Sequence, residues 1–302
     1  MTRTLERLLR ARGARVLLDT RVESILRGED GAVRGVCLTD GTELPADSVV
    51  LATGGCSYPG TGSTGDGFRM AAALGHTVLP PRASLSAVET REAWCCELQG
   101  LSLKNVTLTL RQGKKTLYTE LGEMLFTHFG ISGPLGLEMS CHLPEDLSAA
   151  RVTLDLKPGL TAEQLDARLQ REFDAQPRKQ LRSVLPALLP GRLAELFPAL
   201  CGLDGAQVCA QISREQREKL GHMLKELPLT LKALRPLDEA IVTRGGVTVK
   251  EIVPATMESR LVPGLYFAGE LIDVDAHTGG YNLQIAWSTG ALAGRSCAER
   301  TI

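Results

Sequence analysis

The chain has 302 residues, 43% of them hydrophobic, with 34 Lys+Arg against 35 Asp+Glu and a formal net charge of -1. That length can bury a large core, as one discontinuous domain with an insertion or as two compact domains. The balanced charge gives no global basic field to hold nucleic acid, no run approaches the ~20 apolar residues of a membrane span, and the first residues lack a signal peptide's apolar core, so a cytoplasmic protein without nucleic-acid or membrane partners is expected.

Apolar residues at helical spacing through Leu5, Leu8 and Leu9, closed by Gly13 at a C-cap position, predict an opening helix. Residues 16–18 read as a strand. Residues 22–26 and 33–38, divided by Asp30-Gly31 and followed by Asp40-Gly41, read as an antiparallel meander leading into an apolar strand at 49–52. That strand runs into Thr53-Gly54-Gly55, and Gly65-Asp66-Gly67 opens a helix through Phe68, Ala71 and Leu74. From Leu79-Pro80-Pro81 to Leu156, alternating Thr, Val and Leu predict a β-rich insertion, clearest at 106–110. Thr161 and Gln164 have capping-box spacing, and Leu165, Leu169 and Phe173 begin a run of helices punctuated by Pro186, Pro190, Pro198 and Pro228. Strand-like stretches at 229–231 and 240–242 then lead to Arg244-Gly245-Gly246-Val247.

The chemistry concentrates near the C-terminus. Residues 265–270 form a short apolar run ending in Gly269-Glu270; Asp273 and Asp275 follow, and Thr278-Gly279-Gly280-Tyr281-Asn282 opens a helix carrying Leu283, Trp287, Ala291 and Gly294. Unpaired N–H groups at such a helix start suit an anionic or electron-rich ring, although an ordinary strand–turn–helix unit carries the same pattern. A literal G-x-G-x-x-G at 60–65 is not read as a dinucleotide fingerprint. Residues 56–59 separate it from the strand end, and no acidic residue ends a second strand ~20 positions later. Eight cysteines without C-x-x-C spacing predict neither zinc nor structural disulfides, and the adjacent Cys95 and Cys96 read as reduced. Arg178, Lys179, Arg182 and the basic residues of 214–219 read as solvated helix faces, with Glu215 and Glu218 interleaved.

Two strand ends, 52–55 and 267–270, share the form apolar run, small residue, glycine. Together with 49–59, 61–67, 74–76, 126–134, 245–247 with 251–252, and 265–290, they make the chain resemble the YhiN/BaiN-type flavoprotein oxidoreductases, a branch of the glutathione-reductase-like FAD proteins. The matching segments run in order along essentially the entire chain. The resemblance implies an α/β fold: a discontinuous, Rossmann-like FAD/NAD(P)-binding domain over 1–79 and 239–302, interrupted by an insertion domain over 80–238. That insertion is expected to be β-rich and barrel-like over 80–156 and mostly helical over 157–238.

The resemblance also implies an activity: hydride passes from NAD(P)H through FAD to a small organic acceptor such as an enone or steroid-like C=C bond. Main chain at Thr53, Gly54, Gly55, Gly245 and Gly246 would approach the cofactor, and Gly269 and Glu270 its ribityl and pyrophosphate region. Gly279, Gly280, Tyr281 and Asn282 would aim a helix N-terminus at the flavin N1 and C2 carbonyl, where negative charge develops on reduction. His128, in a glycine-bounded loop between Phe126 and Phe129, is the leading catalytic proton donor, with Tyr281 and His277 as alternatives. A structural histidine bonding a loop carbonyl is the competing reading. Asp273 and Asp275 read as loop-capping residues, and no metal site is expected.

One departure stands out. The family opens on a strand and G-x-G-x-x-G that hold the ADP half of FAD, followed by an acidic ribose ligand. This chain has no such fingerprint and reads as shortened by on the order of 100 residues, about one βαβ unit with its connection. Open strand edges and weak or absent FAD binding by the polypeptide as given are the expected consequences. The alternative functions are a catalytically incomplete fragment or a non-catalytic binding module.

Overall fold

A computed structural model describes residues 2–300. Helix α1 (Thr2–Ala11) is closed by Gly13 in the left-handed region at φ 73°. The strand expected at 16–18 is absent: the segment has no ladder partner and bends at Leu18, which is 79% exposed. Apolar β-formers need a ladder partner, and none lies beside them among the described residues. Strands β1 (Val22–Arg27), β2 (Val33–Leu38) and β3 (Glu43–Pro45) form the expected antiparallel meander.

Strand β4 (Val49–Leu51) follows, then α2 (Asp66–Ala73), β5 (Val78–Ser84), β6 (Val88–Thr90) and α3 (Ala93–Glu97). The long hairpin of β7 (Ser102–Gln112) and β8 (Lys115–Phe126) leads to β9 (Gly130–Ser132), α4 (Gly133–Ser140) and β10 (Ala150–Asp155). Helices α5 (Ala162–Ala175), α6 (Leu181–Val184), α7 (Gly191–Leu200) and α8 (Arg214–Lys225) come next. The capping box of α5 forms as its spacing predicts, with the Gln164 N–H donating to Thr161 Oγ1 at 3.2 Å and the Thr161 N–H to Gln164 Oε1 at 3.0 Å. The stretch at 229–231 is not one strand but two, β11 (Leu227–Leu229) and β12 (Leu231–Leu234), divided at Thr230. A 3-10 turn at Leu237–Glu239 delays the next strand, β13 (Val242–Val247); β14 (Leu265–Phe267) and α9 (Tyr281–Arg300) complete the chain.

Strands β11-β10-β7-β8-β9-β6-β12 make one antiparallel sheet in that order. Its two edge strands are consecutive in sequence, with only Thr230 between Leu229, paired to Val152, and Leu231, paired to Thr90. The two edges of the sheet therefore meet, around a core that includes Leu108, Phe126, Leu154, Leu169 and Phe197. A separate cluster joins Leu51, Phe68, Tyr266, Phe267, Leu271 and Ala293. The first cluster draws its buried residues from 88–231 and the second from 25–71 and 247–293, so they share none. Between them runs the antiparallel pair β5/β13, with Val242 opposite Ser84 and Val247 opposite Val78. In the second cluster β4 and β14 pair in parallel, Phe267 beside Leu51, and each pairs with no other strand among the described residues.

Candidate functional site

Because β4 and β14 are parallel, their carboxyl ends emerge side by side as Thr53-Gly54-Gly55 and Ala268-Gly269-Glu270. This is the end of an α/β sheet where ligands bind. Glu270 Oε1 accepts the Thr243 N–H at 2.6 Å and the Ser57 hydroxyl at 3.0 Å. Thr243 Oγ1 in turn accepts the backbone N–H groups of Cys56 at 2.8 Å and Ser57 at 3.1 Å. Position 55 must be glycine, since a Cβ there would overlap Thr243 Oγ1 and lie 2.6 Å from Glu270 Oε1. Glu270 thus ties the ends of β4, β13 and β14 together through one oxygen, while its Oε2 carries no hydrogen bond among the described residues. Thr53 Oγ1 is buried without a hydrogen-bond partner there. Burial and the Glu270 charge push the Cys56 thiol up, away from a reactive thiolate.

Gly279 and Gly280 sit at φ 109° and 93°, turning the chain into α9. The Asn282 side chain clamps the preceding loop, its Oδ1 accepting the Ala276 N–H at 2.9 Å and its Nδ2 donating to the Ala276 carbonyl at 2.7 Å. The Asn282 side chain is thus engaged by the loop backbone through both its oxygen and its nitrogen. Gln284 is the first residue of α9 whose N–H finds a carbonyl, that of Gly280 at 2.9 Å. The N–H groups of Tyr281, Asn282 and Leu283 precede it without an acceptor among the described residues, so the positive end of α9 is open. Tyr281 is itself exposed. Gly245 and Gly246 have a packing reason of their own: a Cβ would lie 2.6 Å from the Pro80 carbonyl oxygen at 245 and 2.5 Å from that of Leu271 at 246. The Gly269 N–H is committed to Thr289 Oγ1 at 2.9 Å. A cleft of about 190 Å³ is lined by Ile241, Glu270, Val274, Asn282, Leu283 and Ala286, and a more apolar one of about 360 Å³ lies on the flank of α9 by Val249, Ile252, Met257 and Ile285.

The loop before α9 is also tied to the other cluster. Asp275 pairs with Arg244 at 3.0 Å and accepts the Ser84 hydroxyl at 2.6 Å, while Arg244 donates to the Cys141 carbonyl at 3.2 Å. Burial pushes the Asp275 carboxyl up, but Arg244 and Ser84 outweigh it and hold it below the usual range. Instead of capping the loop, as its sequence suggests, Asp275 is therefore a clamp between strands and loop. Glu138, on α4, hydrogen-bonds His277 Nδ1 and accepts the Thr278 N–H at 3.1 Å. The Glu138 bond and charge raise the His277 pKa. His142 stacks on Tyr118 at 5.3 Å and on His277 at 6.4 Å between ring centroids.

His128 stands apart from these groups. It is exposed on the β8–β9 turn, edge-on to Phe129 at 4.8 Å; Arg235 lies over the Phe129 ring and pairs with Glu239 at 2.6 Å. No hydrogen bond joins it to Glu270 or to residues 273–282 among the described residues. His76 is structural: buried, bonded to Ser259 Oγ at 2.8 Å, and held below its ordinary pKa by burial. The G-x-G-x-x-G segment folds as a 3-10 turn at Pro59–Thr61, and the start of α2 carries its own carboxylate, Asp66, bound by Arg21 at 2.8 and 2.9 Å.

The model of the HI0933-like protein Rossmann domain matches residues 1–296. The chain belongs to this HI0933-like family. The resemblance to YhiN/BaiN-type flavoprotein oxidoreductases holds at the family level, as does the mixed α/β, Rossmann-like fold class. The chain is 33% identical over 299 residues to a 3-dehydro-bile acid delta(4,6)-reductase of Clostridium scindens, covering 98% of this chain and 72% of that protein. It is 38% identical over 291 residues to a ribosomal RNA dihydrouridine synthase of Haemophilus influenzae, covering 95% and 70%. A ribosomal RNA dihydrouridine synthase of Escherichia coli is 33% identical over 273 residues, covering 90% and 65%. Among the described residues no helix is long and apolar enough to cross a membrane.

Several residues of this HI0933-like site escaped the sequence reading: Ser57, Thr243, Arg244, Glu138 and His142. Thr243 and Arg244 carried a legible signal, since strand alternation sends one toward Glu270 and its neighbour toward Asp275. Glu138 lies on α4 and His142 just past its C-cap, and a spacing of four residues does not say what either side chain meets.

Proposed function

We propose that this chain provides the ring-facing side of an FAD site in a reductase that saturates a C=C bond conjugated to a carbonyl in a small organic acceptor, with NAD(P)H as electron donor. The observation that carries this reading is the convergence of three strand ends on Glu270 beside the unpaired N–H groups of α9. The residues fit the cofactor. Glu270 Oε2 is a spare acceptor for a sugar hydroxyl, Thr53 Oγ1 is a buried polar atom lacking a partner, and the α9 N-terminus offers three donors to a carbonyl that becomes electron-rich. FAD, when bound, supplies hydride transfer; the chain binds, orients and sets the local charge. Tyr281, at the start of α9, is the proposed proton source, His277 being tied to Glu138 and His128 standing apart on the β8–β9 turn. Residues 1–79 with 239–302 are read as the cofactor domain and 80–238 as the insertion, a division supported by the two clusters with no common buried residue.

The acceptor class rests on chemistry common to the relatives' names. A delta(4,6) bond beside a 3-oxo group and the uracil bond saturated in dihydrouridine are both C=C bonds conjugated to a carbonyl. A second reading, with a uridine of RNA as acceptor, is favoured by the 38% identical relative, while the near-zero net charge speaks for the small molecule. The FAD-loaded protein is incubated anaerobically with NADH or NADPH and either a 3-oxo-4-ene steroid or a uridine-containing RNA. Loss of enone absorbance supports the first reading and dihydrouridine formation the second. Flavin reduction with no acceptor consumed would reject both.

A further inference from the structure

We propose that Glu138, His142 and His277 form a site for one divalent transition-metal ion of the zinc class, which clasps the loop before α9 to α4. The three side chains offer ligand atoms that all lie within 4.8 Å of one another. Two imidazole nitrogens and one carboxylate oxygen suit Zn²⁺, Co²⁺ or Ni²⁺, whereas Mg²⁺ and Ca²⁺ favour oxygen-only sets. With bonds of ~2.1 Å, a tetrahedral ion separates its ligands by ~3.4 Å, within the 4.8 Å spread of the three ligand atoms. The His277 side chain is 70% exposed, so its ring can exchange the Glu138 hydrogen bond for an ion, while Glu138 is 7% exposed.

Neighbouring groups hold two of the three ligands in place. The second oxygen of Glu138 is held by the Thr278 N–H at 3.1 Å, and Tyr118 stacks on the face of His142 at 5.3 Å. The exposed side at His277 leaves both an entry path and a coordination position for water. Two ligands come from α4 and its end, within the larger cluster's segment, and the third from the loop that shapes the α9 N-terminus. A bound ion would therefore join the two parts of the molecule next to the proposed flavin seat. Nothing in this site depends on FAD.

Co²⁺ titration of the purified, EDTA-stripped chain tests the proposal, because cobalt reports its own ligands. The expected result is one equivalent bound with a visible d–d band and no thiolate charge-transfer band, which separates this site from the eight cysteines. His142→Ala and the exposed-site variant His277→Ala should each weaken binding by about tenfold or more. His222→Ala, on α8, should leave it unchanged, and circular dichroism should show all three variants folded. No binding, a thiolate band, or equal affinity in His142→Ala, His277→Ala and the unaltered chain would overturn the proposal.

Discussion

The sheet built on β7, β8 and β10 and its helices bury Phe126, Leu154, Leu169 and Phe197 completely, whereas α9 on the other side of β5/β13 leaves Leu283 64% and Trp287 44% exposed. The first region holds itself together with long antiparallel strands and an unbroken leucine-rich core. In the second, three-residue strands end in glycines and are joined by side chains bonding main chain: Glu270 to Thr243, Thr243 to Cys56 and Ser57, and His76 packed on Phe267 at 5.0 Å. One region is a scaffold stabilised by burial; the other is shaped by hydrogen bonds and leaves donors open at the start of α9.

The largest expected effect probes that contrast. Phe126→Ala should cost about 3–5 kcal/mol in urea unfolding, while Trp287→Ala should stay within about 0.5 kcal/mol. Equal losses would erase the distinction between a filled core and an uncovered helix. A smaller loss is expected for Thr243→Val, about 1–3 kcal/mol, because the buried N–H groups of Cys56 and Ser57 lose their acceptor at constant side-chain volume. A neutral result would mean the strand ends are held by packing alone.

The smallest effect is a pH dependence confined to the second region. Burial holds the folded His76 pKa below its ordinary 6.5, so between the two values the unfolded chain binds more protons. Its contribution is complete above about 6.5 and lost as pH falls toward the folded value. His76→Gln should flatten that part of the stability–pH curve. The same acid-side slope in both proteins would assign it elsewhere.

Local signals made much of the fold legible. Asp-Gly turns fixed the β1–β3 meander, and the Thr161/Gln164 spacing fixed the start of α5, because both depend on residues a few positions apart. Residues 16–18 misled because β propensity says nothing about whether a partner strand is present. The glycine strand ends of the candidate site were legible as well. Their cross-links were not, because Glu270 meets Ser57 and Glu138 meets His277 across sequence separations of 213 and 139. Gly245 and Gly246 show a related ambiguity: a glycine reports close approach without saying whether backbone or cofactor is the neighbour.

Gly280 offers the most direct test of the flavin seat, because Gly41 is its built-in control. Both have positive φ, 93° and 86°, and an added Cβ at either would meet no protein atom within 4 Å. Alanine at either position strains the backbone by about 1–2 kcal/mol. FAD affinity is measured by quenching of flavin fluorescence in the unaltered chain, Gly280→Ala and Gly41→Ala. A saturable affinity that falls by about tenfold or more in Gly280→Ala alone is the predicted result, a loss of about 1.4 kcal/mol. Equal affinity in the two variants would contradict a flavin seat at the start of α9.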